Sequence, residues 1–325
     1  VFNNFVNVQD IYKVLKKSGK IPIILSKIIF GQRKLVKSKW AHTEDLPTNW
    51  WDIPYVTRRR NQLVSGNAQV GYREYISKRY FGGNTEMHAL SLGCGTGNKE
   101  LEWVKLGKFS RIDAYDVSEE RITFANSVAA YNGYDRKIYY KVGDVMDIEM
   151  NDNIYDIIFV DQSLHHFSPL EDILQRINRS LKWNGYLIVN EFVGPTRFQW
   201  SDRQLEVVNG LLTILPMKYK TLWESDDVKQ KVHKPSILSM IMDDPSEAIE
   251  SGKIMRLLHS IFNVVDLCAY GGNILHLLLS GIAHNFLSDD AETKKYLDII
   301  SMIEDQLIES GEMDSDFVVA VCKKK

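Results

Sequence analysis

Short apolar runs, each followed by a longer segment with helical spacing, recur through the middle of the chain. The runs predict strands near 88–92, 110–116, 137–142, 155–161 and 185–190, and the segments between them predict helices near 97–106, 118–131 and 170–182. Repeated strand–helix units build a mostly parallel sheet with helices on both faces. Two further apolar runs, 261–268 and 316–322, read as closing strands, split by a segment over 271–311 that reads as two helices. Upstream, Gln62–Phe81 reads as one helix loosened by Gly66 and Gly71. After Glu191 a helix is expected over 202–215, then a weakly periodic lid or cap over 219–242. A further helix is expected from Pro245 to about His259, because proline is favoured in the first turn.

The ligand crevice of such a sheet lies beyond the carboxyl ends of its strands. Gly93, Cys94, Gly95, Thr96 and Gly97 directly follow the first strand and precede a helix. Glycines there permit a tight turn and a close approach of ligand to backbone. The spacing G-x-G-x-G is not the dinucleotide pattern, since Asn98 stands where a third small residue is wanted. No G-K-[ST] follows, so a triphosphate loop is not indicated. The second strand ends at Asp116, placed to accept both hydroxyls of an adenosine ribose. The third leads into Asp144, where a carboxylate can accept from an adenine amino group. Asp116, Asp144, Asp161 and Glu191 all follow strand ends, so one crevice accounts for all four.

The ordered set LGCGTG, AYDVS, VGDV, YDIIFVDQSLHHF and SLKWNGYLIVNE resembles the class I S-adenosylmethionine (SAM)-dependent methyltransferases, and most of all their small-molecule branch. The resemblance covers roughly residues 85–195 and departs from the family at Ser91, where an acidic residue is usual. It implies a Rossmann-like, seven-stranded, mostly parallel α/β sheet with a helical N-terminal extension and cap insertions. The implied division is a basic helical extension (1–45), a SAM-binding core (46–195), a cap or lid (196–244), core continued (245–272), a second helical insertion (273–312) and a final core strand (313–325). It also implies SAM as cofactor, with S-adenosylhomocysteine (SAH) as product. The matching cofactor-binding positions are Gly93, Cys94, Gly95, Gly97, Asp116, Val117, Asp144, Val145, Asp161 and Gln162, with Arg60 as a partner for the methionine carboxylate. Trp50 and Trp51 read either as aromatic residues that flank the sulfonium and shape the acceptor pocket or as core anchors, and Arg58–Arg60 either as a partner for the methionine carboxylate or as a solvated surface.

Methyl transfer needs an aligned acceptor and, for a hydroxyl, a base. His165 and His166, just past the fourth strand, are the candidate bases, with Glu191 as the substitute. The alternative is that one histidine packs on the cofactor or caps the next helix. His233, His276 and His284 lie in the insertions and are candidates for the acceptor pocket. A Mg²⁺-assisted O-methyltransferase reading would use Asp161, Asn190 and Glu191, and a SAM-binding module without turnover is the non-enzymatic alternative. The main expectation is O- or N-methylation of a small or medium organic acceptor, with no metal.

Charge and cysteines narrow the class further. A net charge of −2 argues against a nucleic-acid partner. Three dispersed cysteines fit a reducing cytoplasm and no disulfide framework, and a cofactor made in the cytoplasm argues against export. Residues 1–40 are basic and amphipathic, reading either as a helical cap on the core or as a peripheral membrane contact.

Overall fold

The computed structural model describes residues 48–325; the basic N-terminal stretch, and every expectation attached to it, lies outside them. In chain order the regular elements are α1 (Pro54–Ser65), α2 (Tyr72–Tyr80), β1 (Met87–Leu92), α3 (Asn98–Val104), β2 (Phe109–Asp116), α4 (Glu119–Tyr131), β3 (Ile138–Val142) and β4 (Tyr155–Asp161). They continue as α5 (Leu170–Ser180), β5 (Leu181–Phe192), α6 (Asp202–Ile214), α7 (Ile237–Asp243), α8 (Ile254–Ile261), β6 (Phe262–Ala269), α9 (Leu275–Leu279), α10 (Ala291–Glu309) and β7 (Phe317–Lys324). The seven strands form one sheet in the order β3-β2-β1-β4-β5-β7-β6. Only β7 runs against its neighbours, pairing antiparallel with both β5 and β6. The α/β architecture expected from the strand–helix alternation is therefore the one observed.

Successive strand residues point to opposite faces, so each strand feeds two cores. Ala89, Ile157 and Phe159 belong to one core, Leu90, Leu92, Ile158 and Val160 to the other. The second core is roofed by α5 and α8. Leu170, Ile173, Leu174 and Ile177 on α5, and Ile254, Leu257, Leu258 and Ile261 on α8, are buried at the i, i+3, i+4, i+7 spacing of an amphipathic helix. On the other face Trp103 stacks on Phe159, with ring centroids 4.5 Å apart. The insertion helices join this same core through Val208, Leu211 and Leu212 of α6, Leu275 and Leu278 of α9 and Leu297 and Ile300 of α10.

Two expected helices differ. Gln62–Phe81 is two helices, because Gly66 takes a left-handed conformation (φ 75°) that ends α1. Its start lies earlier, with Pro54 at the first helical position. Pro245 does not start a helix. Asp244 Oδ1 accepts from Ser246 N (2.8 Å), closing a local turn, and α8 begins only at Ile254.

Candidate active site

A cavity of about 800 Å³ opens at the carboxyl ends of β1 to β5. Its floor is the glycine turn. Gly93 has φ +72°, and a Cβ there would lie 2.5 Å from Ser163 Cβ, so no other residue fits. Asp116 lines the cavity, its carboxylate fixed by Gly95 N (2.9 Å) and Ser118 N (3.0 Å). Asp144 also lines it, and its Oδ1 accepts from Met146 N (2.9 Å). Both acids are thus oriented by backbone donors. Cys94, Val117, Val145 and Gln162 complete this half of the cavity. Gln162 is a non-glycine residue at φ 55°, a conformation held in place by its N–H donating to Asn190 O (2.7 Å).

The opposite half is built by His165, His166, Phe192, Phe198, His276 and Trp51, with the loop from Pro245 to Ile249 at its edge. His165 is buried, and its Nδ1 is hydrogen-bonded to Glu191 Oε1. Glu191 is fully buried and accepts three backbone donors as well: Ser163 N (2.9 Å), Leu164 N (2.6 Å) and Phe192 N (2.7 Å). Burial opposes a charge on His165, but Glu191, with help from Glu247, outweighs it and raises the pKa. His276 goes the other way: burial, with Lys229 and His165 nearby, lowers its pKa to about 4, so it stays neutral.

A family model described as a methyltransferase domain matches residues 84–260, more than half of the chain. The chain belongs to that family. Its sheet order and crevice are those of a class I SAM-dependent methyltransferase. Among known proteins it is similar to a demethylmenaquinone methyltransferase of Lactobacillus johnsonii, 26% identical over 42% of this chain and 56% of that protein. It is also similar to a sterol 24-C-methyltransferase of Gibberella zeae, 22% identical over 82% of this chain and 72% of that protein. The first of these matches spans little more than half the length of the relative. The geranyl diphosphate C-methyltransferase of Streptomyces coelicolor shares the fold, with a TM-score of 0.52 at 12% identity over 90% of this chain and 98% of that one.

The methyltransferase crevice suits SAM in its donor set: an oriented carboxylate for the ribose, a second for the adenine, and a glycine turn that a Cβ would obstruct. Four expected site residues stand elsewhere than in the cavity wall. Gly97 is a packing position, where a Cβ would meet the Tyr140 ring at 2.6 Å. Asp161 is buried and engaged with Tyr72, Arg73 (2.8 Å) and Asn190 Nδ2 (2.9 Å). Burial would raise its pKa, but Lys99 and Arg73 hold it low. Its oxygens, and those of Asn190 and Glu191, are thereby taken up by protein donors and do not form a Mg²⁺ set facing the cavity. Glu191 backs His165 from behind the wall and does not itself face the acceptor side. Arg60 lies inside α1 and is not part of the cavity wall, its charge acting on the hydroxyls of Tyr72 and Tyr270 behind it, while Arg58 and Arg59 tie that helix to Asp289 and to Glu304 and Asp305 of α10. Of the three insertion histidines only His276 reaches the wall; His284 packs on Trp223 and His233 is exposed.

Lys99 is a cavity residue that the sequence reading does not single out. It lines the cavity at the start of α3 and its ammonium donates to the Asp161 carbonyl. Its signal was a basic residue two positions past the glycine turn. The departure at Ser91 is also resolved. Ser91 Oγ donates to Oε1 (2.6 Å) of Glu100, so the acid sits on α3 and not on β1. Glu100 is fully buried, and burial pushes its pKa up from 4.5 to about 7. The folded chain then favours the protonated form. The cost is absent below pH 4.5, grows through pH 7 and is complete above it, reaching about 3 kcal/mol. Glu100→Gln should therefore be more stable than the parent at about pH 9 and show no gain at about pH 4, measured as denaturant midpoints. A gain of equal size at both pH values would contradict the buried-acid account.

Proposed function

We propose that the chain transfers the methyl group of SAM to an oxygen of a small, largely apolar organic acceptor, with His165 taking the acceptor's proton. The observation that carries this reading is the pairing of His165, in the cavity wall, with the fully buried Glu191 behind it. Glu191 already accepts three backbone N–H groups, so it meets His165 Nδ1 as an acceptor and fixes that nitrogen as the donor. Once the ring is deprotonated, which its raised pKa moves to higher pH, the lone pair is on Nε2 and can take a hydroxyl proton.

SAM supplies the methyl group and its own leaving group. Asp116 is assigned to the ribose, Asp144 to the adenine and Lys99 to the methionine carboxylate. Trp51, Phe192, Phe198 and the neutral His276 give the acceptor side aromatic walls, suited to a ring or isoprenoid body and not to a highly charged one. A second reading is transfer to carbon. It is favoured by the sterol 24-C-methyltransferase that matches 82% of this chain, and it would use the same histidine to remove a proton from carbon.

The test is SAH release in the presence of SAM and separate pools of phenols, isoprenoid alcohols, sterols and amines, with product mass read in parallel. A methylated alcohol or phenol is expected. Product confined to amines would overturn the role of the base. SAH affinity with no product from any pool would favour the non-catalytic module.

A further inference from the structure

The 3-10 turn Leu164–His166 presents two adjacent histidines to the loop from Asp244 to Ile249. Their ring centroids are 4.1 Å apart. Glu247 Oε1 lies 3.5 Å from His165 Nε2. One ring nitrogen of each histidine and a carboxylate oxygen of Glu247 all fall within 4.8 Å of one another.

The hydrogen bonds behind the rings fix where their protons sit. Both Glu191 oxygens accept backbone N–H groups, so His165 Nδ1 is the donor in that pair. Ser246 Oγ donates its single proton to Asp244 Oδ1 (2.6 Å). Toward His166 Nδ1, 3.1 Å away, it can therefore only accept, which makes that nitrogen a donor too. With both Nδ1 atoms acting as donors, Nε2 is the nitrogen of each ring that can ligate. Two imidazoles and the Glu247 carboxylate thus share one small volume, beside the buried Glu191.

We propose that His165, His166 and Glu247 bind a divalent ion of the iron-to-zinc series. Two imidazole nitrogens with one carboxylate suit such borderline ions, not Mg²⁺ or Ca²⁺, which want oxygen alone. Ligand bonds of about 2.1 Å put neighbouring donor atoms roughly 3 to 3.5 Å apart, and the His165–Glu247 pair is already at 3.5 Å. Glu191 and Ser246 supply the outer hydrogen bonds that fix a ligating imidazole. Three protein ligands leave an open position toward the cavity. An ion there takes the lone pair that His165 would use on an acceptor proton, so metal occupancy and base chemistry exclude each other. The site does not depend on turnover: the ion should bind whether or not the chain methylates anything.

Cobalt(II) chloride titrated into the full chain should produce visible d–d absorption that saturates at one ion per chain. Glu247→Gln and His166→Ala should each lose that signal at cobalt concentrations that saturate the parent. Ser246→Ala, a milder change behind the ligand, should weaken affinity by about 10- to 100-fold. Circular-dichroism melting verifies that each variant is folded. No visible signal in the parent overturns the site, and so do Glu247→Gln and Ser246→Ala titrations that superimpose on the parent's. SAH release with an acceptor, measured separately, reports on the methyl-transfer reading alone.

Discussion

His165→Ala is expected to lower kcat on the identified acceptor by about 10²- to 10⁴-fold, the usual contribution of a positioned base. SAH affinity should stay nearly unchanged, because the proton transfer exists mainly in the transition state. The rest of the site should survive, since the neighbouring loop is held by the His165 backbone carbonyl, which accepts from Ile249 N (3.1 Å) in either residue. Glu191→Gln makes the contrast. Both Glu191 oxygens accept from N–H groups, so an amide NH₂ at either position faces a donor. Leaving such buried groups mismatched costs about 1–3 kcal/mol, so this variant should lose stability as well as rate. Full turnover in His165→Ala would mean that alignment alone drives the reaction, as expected of an acceptor that needs no deprotonation.

Asp116→Ala should weaken SAH binding by about 10²- to 10⁴-fold. Two ribose hydroxyls lose a charged acceptor, and hydrogen bonds to charged groups contribute about 1.5–3 kcal/mol each. The fold should tolerate the change. Asp116 is at the rim of the cavity, and the N–H groups of Gly95 and Ser118 that it accepts can turn to water. Calorimetry that returns the parent's affinity would remove Asp116 from the ribose site and with it the assignment of the crevice.

The sheet was legible because its signals are local: short apolar runs, a glycine turn and acids at strand ends. Side-chain direction was less so, although alternation contains it. In β5, Leu187 and Val189 face the core under α5 and α8, and Glu191 follows in phase, behind the cavity wall, while Phe192 turns into it. Arg60 is not in the cavity wall because the start of α1 at Pro54 encloses it in a helix tied to α10, an arrangement set by ion pairs across the chain. Ser246 and Glu247 had no local signal. They reach the histidines from 80 residues away through a turn closed by Asp244, and a turn of that kind reads in sequence like a helix start.

The insertion helices share one hydrophobic core with the first face of the sheet. Elements joined in that way open together, so backbone amides of α6 and α10 should exchange with solvent deuterium about as slowly as those of β4 and β5. The insertions that carry Phe198 and His276 into the acceptor wall are then not a hinged door. Acceptor binding and product release are then expected without any swing of a domain.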